Sequence, residues 1–224
     1  MAAGKLIVFE GAEGAGKTTQ IRLLVERLAA AGFACVKYRE PGGTPVGDSI
    51  RGILLDPERE IGAETESLLF MASRAELIAT EVRPALERGA VVILDRFFLS
   101  TYAYQISGRG LAERDVRAAN HLATGGLVPD ITLLLDVSAE EGLARAERRG
   151  GRDRMERTGD GFHDRVNAAF GLFAGKEWQD SHAECGRIVR ITGTGRESDI
   201  AALIDDALAG VLKGVPRPMV KAGS

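Results

Sequence analysis

Cysteine is nearly missing from this chain. Cys35 and Cys185 are the only two in 224 residues, and neither sits in a CxxC or Cys/His ligand spacing. That excludes a disulfide framework and a cysteine-held metal, and reduced thiols in a cytoplasmic protein are the expectation. No apolar run approaches the roughly 18 residues a membrane span needs. The chain enters KLIVFE without a basic, apolar and cleavage-site leader, so neither secretion nor a membrane role is expected. Neither sign of charge dominates, with 29 basic against 32 acidic side chains. That balance argues against a nucleic-acid partner gripped by a bulk basic surface. Yet 23 of the 29 basic residues are arginine, the side chain that holds phosphate in a planar, bidentate way. Any anion sites should be local.

What is present alternates. KLIVFE, FACVKY, VVILD, ITLLLD and RIVRI are short apolar runs separated by amphipathic stretches. Buried parallel strands read as such continuous runs and their crossovers as helices, so the fold class is α/β. No repeat, low-complexity tract or Pro/Ser linker divides the chain. One domain over residues 1–212 is expected, with a flexible tail over 213–224. The polar stretch GGRDRMERTGDG, from about 150 to 161, reads as a mobile surface loop between helices. Spacing on the long helix from about Glu64 predicts a core face of Leu68, Met71, Ala72, Ala75, Ala79, Val82 and Leu86.

Gly11-Ala12-Glu13-Gly14-Ala15-Gly16-Lys17-Thr18 fits GxxxxGK[ST], directly after an apolar strand and before an amphipathic helix. Glycines let backbone N–H groups turn inward around an anion, and the helix N-terminus adds partial positive charge there. Lys17 would reach the β and γ phosphates of a nucleoside triphosphate, and Thr18 would ligate Mg²⁺, with Thr19 following in the first helical turn. Motors, switches and kinases share this loop. The guanine-reading NKxD is absent, and the length leaves little room for motor machinery, which favours a small kinase.

VVILD delivers Asp95 to a strand end beside the loop, where it suits Mg²⁺ or could cap the next helix, and Arg96 follows to meet a phosphate. Arg39 and the turn REPGGT arrive at the same edge of the sheet, where ligands of open α/β sheets bind. Phe70 and Arg74 are one helical turn apart and point away from the apolar stripe. They suit a nucleobase stacked on the ring with its edge bonded by the guanidinium, or a neighbouring helix packed on Phe70. Ser100, Tyr104 and Gln105 follow on the next helix as a candidate polar wall. Arg145, Arg148, Arg149, Arg152 and Arg154 crowd a segment at about 145–160 that reads as a lid, because like charges so close repel unless an anion is sometimes present. The phosphate loop has no arginine of its own, so the lid would supply one at the transition state. His121, His163 and His182 read as surface or helix-packing residues.

FEGAEGAGKTT, REPGGT, LLFMASRAE, DRFFLSTYAYQ, PDITLLLDV and RRGGRDRME together resemble the thymidylate kinase family, from about Leu6 to Ile191. The resemblance implies a five-stranded parallel sheet flanked by helices, usually in a homodimer, and transfer of a phosphoryl group from ATP with Mg²⁺ to dTMP. It implies Phe70 stacked on thymine, Arg74 on its edge, and Ser100 and Gln105 completing the base site. It also implies Arg39 and Arg96 on the acceptor phosphate, Glu13 near the 3′-hydroxyl, and Tyr104 crowding the 2′ position. Arg149 and Arg154 would act from the lid. Ser73 and Phe170 depart from the family's more usual Asp and Tyr. Two other readings stay open: a deoxynucleoside kinase using Glu40 as base, and a nucleotide-gated binding module.

Overall fold

The computed structural model describes residues 4–138, 140–142, 144–145, 154–155 and 158–217. Five strands form one parallel sheet: β1 (Lys5–Glu10), β2 (Cys35–Arg39), β3 (Val91–Asp95), β4 (Ile131–Asp136) and β5 (Ile188–Thr192), in the order β2-β3-β1-β4-β5. Successive residues of a strand face opposite sides, and both sides are covered. Leu6, Val8, Val92 and Leu94 face one helical layer, whereas Ile7, Phe9, Val91 and Ile93 face the other. The middles of the three inner strands are therefore almost wholly apolar, and the edge strands β2 and β5 are only partly buried.

Helix α1 (Lys17–Ala30) and helix α9 (Glu197–Leu208) cover one face through Ile21, Leu24, Leu28, Ile200, Ile204 and Leu208. The other face carries α3 (Ala63–Leu77), continued through a π-turn (Ile78–Val82) into α4 (Arg83–Glu87). It also carries α5 (Phe98–Thr101), continued as a π-helix over Tyr102–Gly108, then α6 (Glu113–Thr124) and α7 (Asp160–Leu172). Helix α2 (Pro45–Leu55) packs on α3, and α8 (Lys176–Ser181) follows α7. The turn into α2 is set by its sequence: Thr44 Oγ1 accepts from Gly47 N at 2.9 Å, and Pro45 occupies the first helical position.

The expected apolar stripe is only partly borne out: Met71 and Val82 are buried, but Leu68 is 62% exposed, and Ala72 on α3 and Ala79 in the π-turn face outward. Besides Met71, the buried side of α3 is Glu66, Ser67, Ser73, Arg74 and Leu77, a largely polar face on which Glu66, Ser73 and Arg74 hydrogen-bond to other elements. The start of the tail is also packed, with Val215 buried and the Arg217 guanidinium 4.8 Å from the centre of the Phe33 ring. Among the described residues no helix is long and apolar enough to cross a membrane.

Candidate active site

The C-terminal ends of β1, β2 and β3 open into one cleft of about 1150 Å³, larger than the roughly 300–1000 Å³ of a usual small-molecule site. At one end lies the phosphate loop, with Glu13 to Gln20 on its wall; Phe70, Tyr104 and Gln105 line the same cleft. Among the described residues six cations look into it: Lys17, Lys37, Arg39, Arg51, Arg96 and Arg145.

The loop's glycines are there for space. At Gly11, with φ of 140°, a Cβ would lie 2.4 Å from the Leu135 carbonyl; at Gly14, with φ of 71°, it would lie 2.1 Å from that of Gly142. Lys17 Nζ donates to the carbonyls of Gly11 (2.9 Å) and Ala12 (3.0 Å). Burial, with the neighbouring Arg96 charge, pushes Lys17 down to about 8.

Arg96 has a left-handed backbone, with φ of 74°, at the step from β3 to α5. Its Nη1 donates to Ser100 Oγ (2.9 Å) and Gly11 O (3.3 Å), Nη2 pairs with Glu13 at 3.5 Å, and the guanidinium lies 5.3 Å from the Tyr104 ring centre. Burial opposes this charge, but Tyr104, Glu13, Asp95 and Glu10 outweigh it and hold the guanidinium protonated above its usual range. Burial likewise pushes the Tyr104 phenol up. Glu10, a buried residue that strand patterning gave no reason to single out, organises this corner. Its Oε1 accepts from the backbone N–H of Phe97 (2.7 Å) and Ser100 (3.0 Å), which caps α5 from outside, and its Oε2 accepts from Ser100 Oγ (2.7 Å). Ser100 is thus spent on fixing Arg96 and does not line the cleft, contrary to its expected place in the base wall.

Arg74 also departs from expectation. It is 3% exposed, and all five N–H groups are taken: Nε and Nη2 by Glu40 Oε2, Nη1 by Thr101 Oγ1 (2.9 Å) and Asn120 Oδ1, and Nη2 again by Phe97 O (2.8 Å). No donor remains for a base edge in this arrangement, so Arg74 acts as a brace between the turn after β2, α5 and α6. Ser73 contributes to the same joint by accepting from Gly42 N at 3.0 Å. Burial raises the Glu40 carboxyl, and Arg74 opposes this; among the described residues Glu40 Oε1 is buried without a hydrogen-bond partner.

Asp95, Phe70, Tyr104, Gln105, Arg39, Glu13, Lys17, Thr18 and Thr19 do share the cleft. Gly11 and Ala12 stand behind it and supply carbonyls to Lys17. Arg39 is mostly exposed and lies 3.8 Å from Asp48. Asp136, at the end of β4, pairs with Arg190 at 3.4 Å away from the cleft wall. Phe170 packs edge-on to Tyr104 with ring centres 6.4 Å apart.

Of the arginine segment, Arg148, Arg149 and Arg152 lie outside the described residues. Arg145 sits by the phosphate loop, donating to the carbonyls of Gly193 (3.0 Å) and Gly14 (3.4 Å) and paired with Glu141. Arg154 is not at the loop. Its Nε donates to Leu54 O (2.7 Å) and its Nη2 to Glu66 (2.7 Å), and Met155 beside it is buried, so here the segment is docked on α2 and α3 rather than solvated. Of the histidines, His163 was expected on the surface or between helices but lines the cleft. His182 stacks on Trp178 at 3.8 Å.

Comparison with known proteins agrees with this geometry. The thymidylate kinase family profile matches residues 9–184. A thymidylate kinase of Deinococcus radiodurans is 46% identical over 204 residues, covering 91% of this chain and 96% of that protein. One from Synechococcus is 47% identical over 215 residues, covering 95% and 99%. One from Pseudomonas fluorescens is 51% identical over 168 residues, covering 75% and 80%. With a phosphate loop and an aromatic pocket opening into one arginine-lined cleft, and with likeness running along nearly its whole length, the chain belongs to the thymidylate kinase family.

Proposed function

We propose that the chain transfers the γ-phosphoryl group of MgATP to dTMP, giving dTDP and ADP. The observation that carries this reading is the single cleft that joins Lys17 and the phosphate loop to Phe70, Tyr104 and Gln105 through Arg39 and Arg96. A nucleoside triphosphate on the loop and a second nucleotide against Phe70 would bring their phosphates together between those cations. The acceptor is a phosphate oxygen, anionic at neutral pH, so positioning and charge neutralisation suffice and no protein base is needed. Lys17 would exchange its two carbonyl partners for β and γ phosphate oxygens. Arg96, held by Ser100 and Glu13, would align the acceptor phosphate, and Phe70 would stack on the base. Arg149 and Arg154 from the arginine segment would complete the charge stabilisation, Arg154 after leaving Glu66.

The residues present fit Mg²⁺. Among the described residues Asp95 Oδ1 is buried without a hydrogen-bond partner, and Thr18 shares its cleft. One carboxylate and one hydroxyl suit an ion that takes its remaining ligands from water and phosphate. Bound there, Mg²⁺ would neutralise charge on the β and γ phosphates.

A homodimer is part of this reading, supported by the open apolar face of α3 and the π-turn after it, with Leu68, Ala72 and Ala79, and by Leu122, 84% exposed on the adjoining α6. Two free cysteines support a cytoplasmic setting. The test is ADP release with MgATP and a panel of dTMP, dUMP, dCMP and thymidine. The highest kcat/KM is expected for dTMP. A preference for thymidine, with activity lost in Glu40→Gln, would overturn the proposal in favour of a nucleoside kinase.

A further inference from the structure

Glu66 is fully buried on α3, outside every motif that marks the site. Four donors converge on its carboxylate. Oε1 accepts from Gln105 Nε2 (3.2 Å) and Arg109 Nε (3.0 Å); Oε2 accepts from Arg109 Nη2 (2.8 Å) and Arg154 Nη2 (2.7 Å). The four lone-pair sites of a carboxylate are thereby filled. Burial alone would raise this carboxyl, but the bonds and charges of Arg109 and Arg154 prevail and hold it below its usual range, so it is ionised.

An ionised carboxylate only accepts hydrogen bonds, which dictates how Gln105 stands. Its amide nitrogen must face Glu66, because a carbonyl oxygen turned that way would meet a buried anion. Gln105 is itself 2% exposed and lines the cleft, so the amide atom left to offer there is the carbonyl oxygen. An acceptor fixed at that point reads the ring N3 of a pyrimidine. Thymine and uracil carry a proton on N3, whereas cytosine has a lone pair.

We propose that Glu66 is a positioning residue for acceptor-base discrimination: by holding the Gln105 amide nitrogen it presents a carbonyl oxygen to the base, favouring thymine over cytosine. This rests on the reading of Gln105 as a base contact, made above. Replacing Glu66 by Gln keeps the shape but lets the facing amide pair in either sense, so Gln105 is free to turn its N–H toward cytosine N3.

The measurement is kcat/KM for dTMP divided by that for dCMP. The ratio should fall about tenfold or more in Glu66→Gln, since a fixed hydrogen-bonding partner is what rejects the wrong analogue. The change should lie mainly in KM for the acceptor, with KM for ATP nearly unaltered. Glu66→Asp is the second variant, should the amide destabilise the chain. It keeps the charge facing Arg109 and Arg154 but is one methylene too short to hold Gln105 as well, and the ratio should fall again. Gln105→Met separates the two layers of the argument. It should lower the ratio by itself, and adding Glu66→Gln to it should change the ratio no further. A merely structural role for Glu66 would depress both acceptors alike. An unchanged ratio in both Glu66 variants, with Gln105→Met still lowering it, overturns the positioning role alone. An unchanged ratio in Gln105→Met overturns the base contact, and the positioning role with it.

Discussion

Replacing Arg74 by Ala should damage the fold, although by family likeness the residue belongs to the base site. Among the described residues its guanidinium is the one hydrogen-bond partner of the buried Glu40 carboxylate, and it also serves Thr101, Asn120 and the Phe97 carbonyl. Truncation leaves an uncompensated buried charge, a loss of about 3–5 kcal/mol. For a domain of this size each kcal/mol moves Tm by about 2–4 °C, so the midpoint should fall by about 6–20 °C. The loss should also depend on pH. Burial already raises the Glu40 carboxyl, and without Arg74 it would rise further. A folded-state value above the unfolded one gives stability that is present at low pH and lost as pH rises, so Arg74→Ala should be less impaired near pH 5 than near pH 8. Adding Glu40→Gln should restore part of the loss, because the stranded charge is then gone. Calorimetric or circular-dichroism melts of the wild type and three variants check each step. A drop in Tm under about 3 °C for Arg74→Ala, well below the range worked out above, would refute the brace and return Arg74 to the base.

Two further outcomes are expected. Because Lys17 sits at about 8 in the nucleotide-free chain, ATP binding above that pH must be accompanied by proton uptake. Affinity should then fall by about tenfold per unit above pH 8, and titration calorimetry between pH 7 and 9.5 that finds constant affinity would contradict this. If α3 carries the self-association face, Leu68→Asp should convert a dimer to a folded monomer in sedimentation velocity, since Leu68 is 62% exposed and supports nothing inside the protomer. A dimer that persists in the variant would move the interface elsewhere.

The inner strands could be read from the sequence because both faces of the sheet are covered, so Leu6 to Phe9 and Val91 to Leu94 show no polar interruption. The phosphate loop was legible for a different reason: Gly11 and Gly14 have no room for a side chain, which leaves a mark in residue type. Helix α3 misled, because apolar periodicity assumes that the buried side is the apolar one. Here Glu66, Ser73 and Arg74 are inside, stabilised by partners on other elements, while Leu68 and Ala72 face out. Glu10 and Glu66 escaped notice for the same reason. A buried carboxylate looks like a surface one until the donors that converge on it, Ser100 and Phe97 for the first and Arg109 and Arg154 for the second, are brought together by folding.

The left-handed backbone at Arg96 sets stability and function against each other at a single position. An L-residue held there costs on the order of 1 kcal/mol that glycine would not. Glycine would relieve that backbone cost but discard the guanidinium that Ser100 and Glu13 hold in place. Any campaign to toughen this protein that ranks variants by melting point should keep position 96 fixed.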